Sequence, residues 1–493
     1  MRPAPTLAAC ALAALLAPPA RAAAQVAVDP VVVEARIRAE GLGRDSEALE
    51  LYRTLTDRFG ARLAASPAYE DAAAWARDRF ASWGLEARLE PFEFGRGWSL
   101  EKISVEMTAP RYMPLTAYPE AWTPSVEGGV VSGRVVYVGD STAEEIARMG
   151  DELRGAIVLT HEPQDDFLDE DRPQPGLSDE PVRTGNPRGV PLRSDTPMRE
   201  MRELLQRAGA AVTLRPSPYR DGTVGVTGSR TTADDAVPAI VVATEQYNLL
   251  ARLVESGVPV ELRVELRTRY HEEDELTHNV IAEIPGTDPG LRDEIVLIGA
   301  HLDSWHTAIG ATDNADGATA VMEAMRILSV VEPRPRRTIR AALWSGEEQG
   351  LLGARAYVSA YLDDPVEHER LSVYLNDDPG SGRTLGFYMQ GNEAAKRVFD
   401  AWLEPLRDLG ATRNVIEPIG STDHVPFHDA GVPAFTAIKD FEAYDTRTRH
   451  TNADYPERMS ERELTQQAIV LAHLAWHAAM ADERVPRDPT PEP

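Results

Sequence analysis

Residues 294–303 read EIVLIGAHLD, an apolar run from Ile295 to Ala300 that ends in an imidazole and, two residues on, a carboxylate. A run this short and this apolar has the length of a strand buried on both faces, the kind found where helices cover a sheet on both sides. Outward from it the pattern repeats. NVIAEI (279–284) precedes it, while TIRAALW (338–344) and LSVYLND (371–377) follow, with helical spacing from about Gly317 to Leu328 and again from about Leu351. Strands alternating with helices as far as Ala479 imply an α/β domain, a central mixed β-sheet flanked by helices. Ligands in such sheets sit at the carboxyl ends of strands, and here the polar residues follow strands.

His301 and Asp303 fall on one side of the chain by alternation. A metal-bound histidine commonly donates its second ring N–H to a carboxylate, a role within reach of Asp303. The small polar loop Gly310-Ala311-Thr312-Asp313-Asn314-Ala315-Asp316-Gly317 opens the next helix. An aspartate there caps the helix or bridges two metals, and both roles fit together if Asp316 caps and Asp313 binds. TIRAALW runs into Ser345-Gly346-Glu347-Glu348-Gln349-Gly350, adjacent carboxylates between glycines that let the chain turn sharply. Neighbouring side chains leave the chain in different directions, so one can coordinate a metal while the other accepts a proton from water. Asn376-Asp377-Asp378-Pro379-Gly380 places acids at a further strand end, and the stretch from Tyr444 to Asp454 offers His450 with an acid four residues beyond. Each motif alone reads as a turn or cap. Together, His, Asp, Glu, Asp and His from successive elements make a sulfur-free ligand set suited to a pair of zinc ions.

The rest of the chain sets the context. At 493 residues it exceeds one compact core, which implies two folded units or a large insertion. Between about Glu127 and Arg269 the texture changes to short β-rich runs, VVSGRVVYV, GAIVLT and VELRVEL, separated by polar, Pro-rich stretches such as 165–195, the signature of an inserted domain. Asp45 to Phe59 and Ala72 to Trp83 carry helical spacing, the second behind Ser66-Pro67 and ending at Gly84, as start and stop chemistry predicts. The proline-rich tail from Asp482 is expected to be disordered. MRPAPTLAACALAALLAPPARAAAQ at the start reads as a signal peptide ending near Ala22 or Ala24, which points to a secreted or periplasmic protein. No later stretch approaches the roughly 20 apolar residues of a membrane helix, so no stable membrane insertion is expected. The single cysteine, Cys10, lies inside that segment, so any metal must be held by His, Asp and Glu. A formal charge of -28 argues against nucleic acid or anionic membrane as a partner.

On the strings NVIAEIPGTDP, GAHLDSW, the Asp313 loop, LWSGEEQGLLGA, STDHVPF followed by AGVPA, and HTNAD, the chain resembles the zinc aminopeptidase and carboxypeptidase family that includes bacterial secreted leucyl aminopeptidases, glutamate carboxypeptidase and carboxypeptidase Q. The resemblance covers most of the mature chain. It implies a fold of zinc exopeptidase type with an inserted β-rich protease-associated domain, divided as signal 1–24, N-terminal peptidase part 25–126, insertion 127–269, catalytic domain 270–481 and tail 482–493. It further implies two zinc ions per chain, with Asp313 bridging, His301 and Asp378 completing one site, Glu348 and His450 the other, and Glu347 as general base. Asp303 would orient His301, Asp454 would do the same for His450, and Asp423 and His424 would support the pocket. Asp377 stands where relatives often carry an apolar or small residue, which leaves two candidates for one ligand, although Pro379-Gly380 aligns better with Asp378. The short loop from Trp305 to Asp313 is similar to that of the carboxypeptidase Q branch, which implies dipeptide substrates and a homodimer. The expected substrate is a dipeptide or short peptide, its ammonium held by acids near the metals or its carboxylate by an arginine such as Arg447. Three other activities share parts of this pattern. A glutaminyl cyclase on the same scaffold uses one effective zinc and usually lacks the insertion, an inactive binding ectodomain would have lost ligands that are all present here, and an endopeptidase would cleave long, end-blocked peptides.

Overall fold

The computed structural model describes residues 29–176 and 193–487; the expected signal peptide lies outside the described residues. A seven-stranded sheet runs in the order Glu86–Glu93, Leu276–Ile284, Thr338–Trp344, Ile295–His301, Leu371–Asn376, Ala434–Asp440, Ser381–Tyr388. The strands Thr338–Trp344, Ile295–His301, Leu371–Asn376 and Ala434–Asp440 are parallel, and the others pair antiparallel at the two edges. The chain passes from Ile295–His301 to its neighbour on one side, Thr338–Trp344, and then to its neighbour on the other, Leu371–Asn376. That reversal makes a crevice at the carboxyl end of Ile295–His301.

All seven residues of that strand are buried because both faces are covered. Val296, Ile298 and Ala300 pack with the helices Asp316–Val330 and Glu461–Met480, while Ile295 and Leu297 pack with Ala354, Tyr357 and Phe427 from the helices Leu352–Tyr361 and His424–Asp429. The helix Pro67–Ser82 starts where its chemistry predicts, with Ser66 Oγ accepting from Tyr69 N and Pro67 in the first turn.

An eight-stranded second sheet runs Met113–Leu115, Gly97–Ala109, Glu261–His271, Val130–Tyr137, Ile157–Leu159, Val212–Pro216, Ala239–Val242, Ala117–Pro119. It begins at Gly97 rather than at the expected 127. Gly97–Ala109 pairs along its length with Glu261–His271, a long-range partnership that a change of local texture does not reveal. Leu63, Phe94, Trp98, Trp122 and Trp305 cluster where the sheets adjoin. The start of the tail also departs from expectation. Val485 is buried, and Arg487 donates to the carbonyls of His368, Leu371 and Gly431, so residues 485–487 are packed while 482–484 are exposed; 488–493 lie outside the described residues. No described helix is long and apolar enough to cross a membrane.

Candidate metal centre

The loops that leave the four parallel strands bring the nominated residues together. His301 Nε2 lies 3.2 Å from Asp313 Oδ1 and 3.4 Å from Asp378 Oδ1, and His450 Nε2 lies 3.2 Å from Asp313 Oδ2 and 2.9 Å from Glu348 Oε2. The two oxygens of Asp313 thus face two different histidines. One donor atom from each of His301, Asp313 and Asp378 falls within 4.8 Å of the others, and the same is true of Asp313, Glu348 and His450. Glu347 belongs to neither group, with Oε2 4.0 Å from His301 Nε2.

The donor atoms suit a borderline cation such as zinc. His301 Nε2 and Glu348 Oε1 are buried without a well-formed hydrogen bond among the described residues, as metal-directed atoms would be. Electrostatics point the same way. Burial favours the neutral imidazole, yet Asp378, Glu347 and Asp313 outweigh it and hold the His301 pKa well above its usual value. Burial is likewise overcome at His450, where Glu348 and Asp313 raise the pKa to about 9. Carboxylates that force a charge onto one buried and one half-buried ring define a pocket built for cations.

Other side chains set these positions. Arg62, wholly buried, donates to the carbonyls of Leu302, Leu55, Gly60, Ile309 and Gly310, pinning both ends of the loop between His301 and Asp313. Asp303 acts differently from expectation. Its backbone carbonyl, not its carboxylate, lies 2.9 Å from His301 Nδ1, while the carboxylate, 3.8 Å from that nitrogen, accepts from Glu347 N and Glu348 N at 3.2 and 3.4 Å. It therefore orients the glutamate pair, because the turn after Trp344 brings two amides onto it. Asp454 accepts from Thr312 N and Thr312 Oγ1, both at 2.8 Å, and so braces the Asp313 loop rather than His450. Trp305 Nε1 donates to Glu348 Oε2 at 2.7 Å.

Asp377 and Asp378 separate cleanly. Lys439 Nζ lies 2.7 Å from Asp377 and 3.0 Å from Asp316, all three side chains being buried, so Asp377 faces away from His301 into an ion cluster behind the loops. Asn314 Nδ2 donates to the Asp377 carbonyl at 2.9 Å, and a Cβ on Gly317 would come within 2.3 Å of that same oxygen. Only glycine lets the two loops approach this closely. Asp423 is fully buried, with neither carboxyl oxygen hydrogen-bonded among the described residues, and His424 Nε2 faces the Ile419 carbonyl at 3.1 Å.

The second-sheet segment supplies residues that sequence reasoning missed. Arg172 grips Asp445 through Nε and Nη2 at 2.7 and 2.5 Å, Asp171 accepts from Thr446 N at 2.8 Å, and Val226 N donates to the His450 carbonyl at 3.0 Å. His450 itself sits at φ 56, a conformation that bulky residues adopt only when neighbours hold them there. Arg172 and Arg449 line the cleft over Asp313, Glu347 and Asp378, whereas Arg447 is exposed. A lone lysine in the apolar strand AFTAIKD was the one local signal for Lys439; Arg62 and Arg172 had none.

Residues 279–475, which carry Glu347 and every member of both donor groups, match the family model described as Peptidase family M28. The M28 domain makes the protein a metallopeptidase, a hydrolase of peptide bonds. Carboxypeptidase Q from Homo sapiens is 24% identical over 465 residues, spanning 93% of this chain and 90% of its own length. A solved peptidase M28 precursor from Shewanella amazonensis aligns with 94% of this chain and 99% of its own at a TM-score of 0.70 and 23% identity. A zinc aminopeptidase from Bacillus subtilis aligns with 88% of this chain and 95% of its own at a TM-score of 0.61 and 18% identity. Both share the fold in which the M28 domain presents its strand ends.

Proposed function

We propose that the protein is an exported exopeptidase that uses two zinc ions to hydrolyse dipeptides or the terminal bond of short peptides. The observation that carries this reading is the division of Asp313, one oxygen toward His301 and the other toward His450, with Glu347 outside both donor groups. In it, His301, Asp313 and Asp378 hold one ion, Asp313, Glu348 and His450 hold the other, and Asp303 positions the Glu347-Glu348 turn. Relatives named as a carboxypeptidase and a zinc aminopeptidase support removal of terminal residues. A narrow cleft walled by Arg172, Tyr444 and Arg449 over Asp313, Glu347 and Asp378 supports short substrates.

When bound, the ions would polarise the scissile carbonyl and acidify water. The proton moves through Glu347, whose carboxylate takes it from the attacking water and returns it to the departing amine nitrogen. Burial raises the Glu347 pKa well above its usual value, and Asp378 and Glu348 add to this against the pull of His301. On the cleft wall Arg172 is committed to Asp445, and Arg449 meets the substrate's terminal carboxylate.

The first test is zinc content by mass spectrometry beside a dipeptide panel. Asp313→Ala is expected to hold about two zinc ions per chain fewer than the wild-type protein and to lose chelator-sensitive cleavage. Equal zinc in both proteins, with no cleavage restored by zinc, would leave a non-catalytic ectodomain. Amidating the dipeptide's carboxylate is expected to lower kcat/KM roughly 10- to 100-fold, the worth of one charge-assisted hydrogen bond. Arg449→Met should erase that difference; equal cleavage of acid and amide by the wild-type protein would move recognition to the ammonium end.

A further inference from the structure

A second cluster of metal-type side chains lies where helices from the two ends of the chain meet. Helix Pro30–Leu42 packs along helix Glu461–Met480, burying Val33, Ile37 and Gly41. Beside Val33, Glu34 meets His473 and His477, which lie one helical turn apart on the same face. His477 Nε2 is 3.1 Å from Glu34 Oε1, the two imidazole centroids are 4.5 Å apart, and one donor atom from each of the three residues lies within 4.8 Å of the others. None of the three lines the cleft.

His473 decides the case. It is 1% exposed, and Nε2 lies 2.6 Å from the Trp402 carbonyl. A carbonyl only accepts, so the ring hydrogen sits on Nε2 and Nδ1 is left as a bare lone pair. That Nδ1 is buried and has no hydrogen-bond partner among the described residues. A backbone carbonyl behind an imidazole, fixing its tautomer and leaving the other nitrogen's lone pair unpaired, is the arrangement that orients metal-ligating histidines.

We propose that Glu34, His473 and His477 form a separate divalent-metal site of the zinc class, which clamps the N-terminal helix onto the C-terminal one. Two imidazoles and a carboxylate are a zinc donor set with one position left for water. Bonds of about 2.1 Å in a tetrahedron space the ligand atoms about 3.4 Å apart, close to the 3.1 Å between His477 and Glu34. The side chains of His477 and Glu34 are 16% and 12% exposed, which gives the ion a way in.

The test loads the whole mature protein with zinc, removes the excess and counts metal per chain in the wild-type protein, His477→Gln and Glu34→Gln. Each variant is expected to hold about one equivalent less, to cleave dipeptides at the wild-type rate, and to gain less in melting temperature when zinc is added. The subtraction stands whatever the cleft holds. Glu34→Gln, at the rim of the cluster, keeps the comparison intact if His477→Gln fails to fold. Equal zinc in all three proteins overturns the site and leaves the cluster as a packed hydrogen bond between helices.

Discussion

Glu347→Gln is expected to keep the cleft zinc and to lose about 10²- to 10⁴-fold in kcat with little change in KM, the usual contribution of a positioned general base. Glutamine matches glutamate in shape and cannot take a proton. Glu347 lies outside both donor groups, and its backbone amide donates to Asp303, so the replacement leaves the neighbouring ligand and the turn in place. Glu348→Ala is the contrast. Its carboxylate lies 2.9 Å from His450 Nε2, and its loss should remove zinc together with activity. Single-turnover kinetics beside metal counts separate the two variants. Full kcat in Glu347→Gln would give the proton to another group.

The largest effect on stability is expected at Lys439. Burial opposes its charge, but Asp316 and Asp377 outweigh that and raise its pKa further. Lys439→Met leaves two buried carboxylates without a cation, a loss of about 3–5 kcal/mol. The sign of its pH dependence follows from Asp316, which burial already pushes up to about 6 with the lysine present. A carboxyl whose folded pKa lies above its unfolded value loses stability as pH rises between the two. Without Lys439 the folded value climbs and that window extends upward. The variant's urea midpoint should therefore fall further from pH 5 to pH 8 than the wild-type midpoint does. A midpoint equal to wild type at pH 8 would mean that the cluster contributes nothing.

What the sequence made legible was periodic or local. Ile295–His301 announced itself because a strand covered on both faces reads as a continuous apolar run, and the acids and histidines stood out because they interrupt such runs at their ends. Partnerships across the chain left no such trace. Nothing near Arg172 points to Asp445, and nothing in Gly97–Ala109 names Glu261–His271 as its partner. The places of Asp303 and Asp454 have the same cause. Proximity in sequence suggested the histidines, whereas turns in three dimensions delivered the amides of Glu347, Glu348 and Thr312 to them. Asp377 and Asp378 are adjacent and chemically identical, and only the lysine on a neighbouring strand sets them apart.

The grip of the second-sheet segment on the His450 loop limits how this enzyme can be taken apart. Because Val226 N holds the carbonyl of His450, and Arg172 and Asp171 hold Asp445 and Thr446, the segment is not a detachable accessory that could be trimmed away to yield a minimal peptidase. Excising it would leave the M28 sheet with its strands complete and one metal-facing histidine without a fixed address.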